Sequence, residues 1–444
     1  MKYSVYFDSP DLYPGKFNFY EEGGSPELLK NLINIIDSNK DQLVEINLSW
    51  YLFNNNILHE FLKNLPQHII INVITIPLEG YDNSKPKRLK KLGSDIISDS
   101  LYSKYDLARK IFNDRYNSES NPNYNIYFFP HIYVRSPYVK PFSRGRLPYS
   151  LHIKSLYLKL KGERSIIGLS SSNLAVRDLV KFESLITIEN NETYSQSFKS
   201  FFDDLIKNSI HIKKFNKSLN IKLSDYTYSQ NNSNEYSFFS APFYLNSANL
   251  MEEELTRIIS NAKEKIIICA QHLAAFDYSV NSEYSSSNSE VQNRLGILGS
   301  ILRKGKEGVK ITCISQTFSP PNEDHQKFKN QDFRSPINSK NFEKFYSNLK
   351  HIKNADYFVN QDVHLKFLII DDILIFCTYN FTPTQFIYLD KVKIDKFINM
   401  NDISFSGVHC EVSSHLVIKD LQTTKSFLKF ADSIIKSNNT IKVL

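Results

Sequence analysis

Two short polar signatures interrupt otherwise apolar stretches of this chain. In Val363–Asn380 (VHLKFLIIDDILIFCTYN), His364, Lys366 and Asp371 fall on a His-x-Lys-(x)4-Asp spacing, and Thr378-x-Asn380 closes the run. A strand alternates its faces with period two, so a strand over this segment points His364 and Lys366 the same way. Leu365, Phe367, Leu368, Ile369 and Ile370 read as core. An imidazole and an ammonium side by side at one end of a buried strand need an anionic partner to be tolerable there. A phosphate is the obvious candidate.

The same pattern occurs earlier. His152-x-Lys154 opens the apolar run Leu151–Leu158, a turn follows at Lys161-Gly162-Glu163, and Ser165–Asn173 ends in Ser171-x-Asn173. One position departs: Lys159 stands where the later copy has Asp371. Glu183 then heads a strand over Ser184–Ile188, as Glu411 heads Val412–Ile418. One His-x-Lys alone is weak evidence, since such pairs arise by accident on surfaces. Two, in the same order and followed by the same elements, are different. Duplication of a lobe explains the strands but not the retained polar residues, because polar groups at buried strand ends are costly unless used.

The elements that must position these residues recur in the same order. After an irregular start, Ser25-Pro26 opens a helix carrying Leu28, Leu29, Leu32, Ile33 and Ile36 on one face. A strand at Leu43–Leu48, a helix at about Ile57–Leu65 and a β-branched strand at Ile69–Ile76 follow. A helix over Asp99–Tyr116 and a strand over Ile126–Val134 lead to a loop with Arg135, Lys140, Arg144 and Arg146 among Tyr133, Tyr138, Phe142 and Tyr149. That cationic-aromatic mix suits a nucleic-acid strand. The basic run Lys85–Lys91 reads as a solvated loop. A helix from Thr193 to Asn208 ends the first half, and the Asn/Ser-rich stretch at about 210–235 reads as a linker. The second half replays helix (Glu252–Ser260), strand (Lys265–Cys269), helix (Asn293–Arg303), strand (Val309–Ser315), helix (Asn341–Lys350), signature, Glu-headed strand and helix (Leu421–Lys436). Two lobes, 1–235 and 236–444, with a repeat of roughly 220 residues, are expected. Alternating helices and strands predict an α/β fold, with a mixed sheet covered on both faces in each lobe.

Composition bounds the rest. The chain has 444 residues, 41% of them hydrophobic, and a net charge of +7, which permits a polyanionic partner without requiring one. Cys269, Cys313, Cys377 and Cys410 show no CxxC or Cys/His metal spacing, so buried thiols in a reducing compartment are expected, with no metal and no cofactor. The segment MKYSVYFDSPDLYPG has no signal-peptide core and no 18-residue apolar span occurs, so the expected location is cytoplasmic, without a membrane anchor.

The paired signatures resemble the phospholipase D superfamily, whose members carry two His-x-Lys-(x)4-Asp motifs, each with a downstream [Ser/Thr]-x-Asn and often a Glu. The second motif is similar to that of the bacterial nuclease and phospholipase branch. The first, with Lys159 for Asp, looks like that of tyrosyl-DNA phosphodiesterases. The resemblance implies two duplicated lobes related by a pseudo-twofold, with the active site at their interface. It implies a phosphohistidine mechanism needing no metal. His152 would attack phosphorus and His364 would protonate the leaving oxygen and then deprotonate water. Lys154, Lys366, Asn173 and Asn380 would hold the non-bridging oxygens, and Glu183 and Glu411 would orient the opposite histidines. Ser171, Thr378 and Asp371 would support the set. A nuclease or DNA-end-processing phosphodiesterase is the expectation. A phospholipase or phosphatidyl transferase stays open, as does a non-catalytic subunit that binds phosphate backbones in a repair or defence complex.

Overall fold

The structure is a computed structural model that describes residues 2–13, 24–76, 107–118, 120–129, 133–135, 146–148, 151–176, 178–214, 227–244, 247–273, 296–336, 339–382 and 411–444. Two compact units emerge, one of residues 1–131 and 151–221, the other of residues 132–150 and 222–444.

The first unit is built on an eight-stranded sheet. Its strands are β1 (Lys2–Asp8), β2 (Leu43–Ser49), β3 (Ile70–Thr75), β4 (Tyr124–Phe128), β7 (Ser155–Leu160), β8 (Ser165–Ser170), β9 (Glu183–Glu189) and β10 (Ile210–His211). A separate ribbon pairs β5 (Tyr133–Arg135) with β6 (Arg146–Pro148). The sheet order is β1-β9-β8-β7-β2-β3-β4-β10. The second unit uses β11 (Ser237–Ser240), β12 (Lys265–Ala270), β13 (Lys310–Ser315), β14 (Ala355–Val359), β15 (Phe367–Ile370), β16 (Ile373–Cys377), β17 (Ser413–Ile418) and β18 (Ile441–Lys442). Its order is β11-β17-β16-β15-β12-β13-β14-β18. Position for position the two orders are the same, and so are the strand senses: β2-β3-β4 and β12-β13-β14 are parallel, every other pairing antiparallel. The expected duplication is thus present as a shared topology of two mixed sheets.

Parallel neighbours need a crossover, and helices supply it. Helix Asn56–Lys63 joins β2 to β3, and residues 107–117 form a helix before β4. Gly296–Lys306 and Ser339–Leu349 do the same between β12, β13 and β14. Helix Pro26–Ser38 buries Leu28, Leu29, Leu32 and Ile36 in one core with Ile46, Leu48, Ile71, Val73, Leu156 and Leu158. The equivalent core in the second unit gathers Leu255, Ile259, Ile268, Ile301, Phe345, Leu368 and Ile375. Cys269, Cys313 and Cys377 are buried free thiols, while Cys410 lies outside the described residues.

Several expectations need correction. The start of the chain is not irregular: Lys2–Asp8 is a strand paired along its whole length with β9, setting Asp8 opposite Glu183. The stretch read as linker opens with β10, paired to β4, and β11 and β18 were likewise not expected from the sequence. All are edge or near-edge strands, and three of them have four residues or fewer, too short for alternation to stand out. The basic run Lys85–Lys91 lies outside the described residues.

Two half-sites of histidine, lysine and asparagine

Each unit carries its own set. The His-x-Lys pairs lie in extended backbone immediately ahead of β7 and β15, not inside the strands as the alternation argument had them. The alternation of environment still holds. Leu151, Ile153, Val363 and Leu365 are fully buried in the core, and His152 and His364 are half-buried. Lys154 and Lys366 are both 0% exposed. A buried ammonium must be hydrogen-bonded, and each lysine folds back on its own segment. Lys154 Nζ donates to the carbonyl of His152 at 2.7 Å, and Lys366 Nζ to that of His364. One of three ammonium donors is thereby fixed, and the lysine stem and histidine backbone become one rigid piece.

The [Ser/Thr]-x-Asn turns are likewise repeated. Ser171 N donates to Ser184 O at 3.0 Å and Ser184 N returns a bond to Ser171 Oγ at 2.9 Å. Thr378 N donates to Ser414 O at 3.0 Å and Ser414 N to Thr378 Oγ1 at 3.0 Å. These clasps tie the end of β8 to β9 and the end of β16 to β17, and so fix where the asparagine two residues on must stand. In the first unit Ser171 Oγ also donates to Glu183 Oε2, a carboxylate only 4% exposed. In the second unit the glutamate stands at a different place along the strand. Ladder pairing sets Ser170 against Leu185 and Cys377 against His415. Counting along the strands, Glu183 therefore matches Ser413, and Glu411 lies two residues earlier, on the same face one pleat back. Glu411 is buried at 7% exposure.

The asparagines are placed by unlike means. The loop after Asn173 is held by residues that follow β2: Trp50 Nε1 donates to Ser172 O (3.0 Å), Asn55 Nδ2 to Leu174 O (3.1 Å), and Asn54 exchanges two bonds with Val176 (3.1 and 2.9 Å). Asn380 instead accepts a bond on Oδ1 from the backbone N–H of His272 at 3.3 Å. With its oxygen so used, its carboxamide presents N–H donors, the polarity an anion requires. His272 had no role in the sequence reading. Its ring is 8% exposed with Nδ1 3.4 Å from Thr317 Oγ1, and only the end-of-strand position after β12 could have marked it.

Asp371 lies at the other end of the hairpin from His364, in the β15–β16 turn with φ +52°. Its carboxylate accepts from the backbone N–H groups of Lys263 (2.9 Å), Glu264 (2.9 Å) and Lys265 (3.0 Å). Partial burial acts to raise its pKa, but these three donors outweigh it and hold the group below the usual carboxylate range. The matching Lys159 lies within β7 opposite Glu45 and Ser165, because that hairpin is longer and turns at Gly162 and Glu163, both with positive φ. The difference between the motifs is thus one of turn construction.

Of the expected substrate-binding residues, Arg135 and Arg146 face each other in the β5–β6 ladder, and Lys140 and Arg144 lie outside the described residues. Asp8, fully buried, accepts from Ser9 N (2.9 Å) and Glu27 N (3.2 Å), and burial raises its pKa to about 6 against those bonds and that of Tyr13. His415 is buried and neutral: burial lowers its pKa to about 3, and its Nδ1 lies 2.9 Å from Tyr379 Oη. Among the described residues one trio, His59, Glu60 and Asp114, has donor atoms close enough to share an ion. The Lys63 ammonium already sits 2.9 Å from Asp114 Oδ2. Among the described residues no helix is long and apolar enough to cross a membrane.

No protein-family model matches the sequence, and no curated protein matches it. Solved structures do. Phosphatidylserine synthase of Haemophilus influenzae aligns with a TM-score of 0.50 and 12% identity over 94% of this chain and 85% of that one. Polyphosphate kinase of Porphyromonas gingivalis aligns over 98% of this chain at TM-score 0.49 and 11% identity; this chain covers 51% of that one and so spans about half its length. Yeast tyrosyl-DNA phosphodiesterase aligns at 0.43 and 10% identity over 93% of this chain and 89% of that one. The chain shares its duplicated, mixed-sheet α/β fold with the phosphatidylserine synthase.

Proposed function

We propose that the protein is a phosphodiesterase acting on nucleic acid through a phosphohistidine, with both half-sites engaging one phosphodiester. The observation that carries it is the repeated placement of His152-x-Lys154 and His364-x-Lys366 at the same point of two identical strand orders, each with a fully buried lysine bonded to its own histidine carbonyl. A neutral His152 imidazole attacks phosphorus as the bond to the leaving oxygen breaks, and His364, protonated, gives that oxygen its proton. His364 then takes a proton from water, whose oxygen displaces the histidine and restores the enzyme. Lys154, Lys366, Asn173 and Asn380 carry the charge on the non-bridging oxygens. Glu183 and Glu411 set the histidine tautomers. Each step balances on protein groups and water, so the reaction proceeds without a metal ion.

Nucleic acid is favoured over lipid by the net charge of +7 and by the basic, aromatic segment that carries Arg135 and Arg146. Because the fold is shared with a phosphatidylserine synthase, phosphatidyl transfer is the second reading. The test is cleavage in EDTA of single- and double-stranded DNA, RNA and phospholipid vesicles, with His152→Ala and His364→Ala. Nucleic-acid cleavage lost in both variants supports the proposal. Activity that survives both, or vesicles as the sole substrate, overturns it. Salt-sensitive binding without turnover points to a phosphate-binding subunit.

A further inference from the structure

The segment that follows β13 is tied into the fold by its side chains. Gln316, the residue after β13, is 0% exposed, and both ends of its carboxamide are engaged. Its Nε2 donates to Gln361 O at 2.6 Å, and its Oε1 accepts from Gln271 Nε2 at 3.0 Å and from Arg334 Nη1 at 2.7 Å. Gln271 precedes His272, whose backbone N–H holds Asn380, and Thr317 meets the His272 ring. A continuous polar network therefore runs from Asn380, at the heart of half-site two, to the exposed Arg334. The backbone of Arg334 is fixed as well, its carbonyl accepting from Phe318 N at 3.0 Å.

Holding a long cationic side chain costs rotamer entropy, and this one is held without an acidic partner among the described residues. Its neighbours reinforce the imbalance. Lys327 and Lys329 on the same loop are exposed and make no ion pair among the described residues. The acidic Glu323 and Asp324 are both bound to Lys350, at 2.8 and 2.9 Å. Asp332 is exposed, and its backbone carbonyl is engaged by Gln361 Nε2 at 2.6 Å. The C-terminal ends of parallel strands, where this loop sits, are where open α/β sheets bind ligands.

We propose that Arg334, braced on Gln316, is a phosphate subsite of half-site two that takes the phosphate next to the reacting one in a polynucleotide. This rests on the nucleic-acid reading above. A simple phospholipid has one phosphodiester, whereas a polynucleotide offers a second phosphate to a second fixed cation. Two side-chain hydrogen bonds and a peptide unit connect Arg334 to His272. The pre-set guanidinium edge offers the planar donor pair that phosphate oxygens prefer.

The test measures binding of a single-stranded DNA oligonucleotide by fluorescence anisotropy across a salt series, for wild type, Arg334→Gln and Arg334→Lys. Turnover of bis(p-nitrophenyl) phosphate, which has one phosphate, is followed in parallel. Arg334→Gln should bind DNA about 5- to 20-fold more weakly, with the salt slope reduced by roughly one contact. Arg334→Lys should fall between, and the single-phosphate substrate should be unaffected. Equal affinity and slope in Arg334→Gln, or an equal loss on the single-phosphate substrate, overturns the subsite. A loss seen with inorganic polyphosphate but not with DNA overturns the polynucleotide assignment. Binding needs no turnover, so an inactive wild type that still loses its salt slope in Arg334→Gln refutes the phosphodiesterase and leaves the subsite standing.

Discussion

Ser171→Ala should be far more damaging than Thr378→Ala, although the two hydroxyls occupy the same place in the two sheets. Each accepts the backbone N–H of the facing strand, from Ser184 at 2.9 Å and from Ser414 at 3.0 Å. Removing either hydroxyl strands a buried N–H, at about 1–3 kcal/mol. Ser171 Oγ additionally donates to the buried Glu183 carboxylate, and a bond to a charged group is worth about 1.5–3 kcal/mol. The expected losses are therefore about 2 kcal/mol for Thr378→Ala and about 4 kcal/mol for Ser171→Ala. Urea unfolding of both variants, with Ser171→Thr as the rescue, measures the difference. Ser171→Thr should recover most of the stability, since Thr378 shows that a threonine fits this clasp. In a Glu183→Gln background the cost of Ser171→Ala should drop toward that of Thr378→Ala. Equal losses for the two alanine variants in the wild-type background would refute the reasoning, because the bond to the buried Glu183 carboxylate outweighs the one buried methyl that only Thr378→Ala removes.

Lys154→Met and Lys366→Met should each lower kcat by about a hundredfold or more while leaving the fold intact, as checked by circular dichroism, since each ammonium sits buried beside its histidine and stabilises developing charge. Asp371→Ala should cost about 1–2 kcal/mol, less than three fully buried charged bonds because the carboxylate is partly exposed, and should leave turnover unchanged. With its pKa depressed in the fold, the stability from Asp371 is present above the ordinary carboxylate pKa near 4 and lost as pH falls through its lower folded value, a loss absent from the variant. Asp8 has the opposite sign: its folded pKa of about 6 makes its contribution complete below about pH 4 and lost as pH rises through 6, and Asp8→Asn should flatten that window in a pH series of unfolding midpoints. Glu183→Gln should shift the pH profile of kcat, because the Ser171 hydroxyl of its own half-site holds this carboxylate.

Much of this was legible in the residues. The duplication followed from matched element order, and the repeated His-x-Lys and [Ser/Thr]-x-Asn segments stand at matching points of the two sheets. Three things were not. Strands β1, β10, β11 and β18 gain their order from pairing partners far away in sequence, and short edge segments carry little pattern of their own. The turn-capping place of Asp371 depends on three N–H groups over a hundred residues earlier. The offset of Glu411 was hidden because both glutamates do precede a strand. Only the ladder, by pairing Cys377 with His415, assigns Ser413 and not Glu411 to the place of Glu183.

That offset separates what the fold repeats from what the chemistry requires. Strand order and the Ser/Thr clasp recur because the sheet cannot be built otherwise. Nothing in packing demands an asparagine two residues beyond the clasp, yet both units place one there and secure it by unrelated means. In the first unit the clamp is Trp50, Asn54 and Asn55 acting on the loop backbone; in the second it is the backbone N–H of His272 acting on the side chain. The residues matching Trp50 and Leu52 along the strands are Ala270 and His272, so the surroundings have diverged completely. Independent supports that converge on one side chain at one position argue that the position serves the site and not the scaffold. The same holds for the buried lysines, each costly to bury and each repeated at the same point of its unit. The glutamates, by contrast, have drifted by a pleat. A catalytic role that tolerates such a drift is orientation, not contact with the reacting atoms.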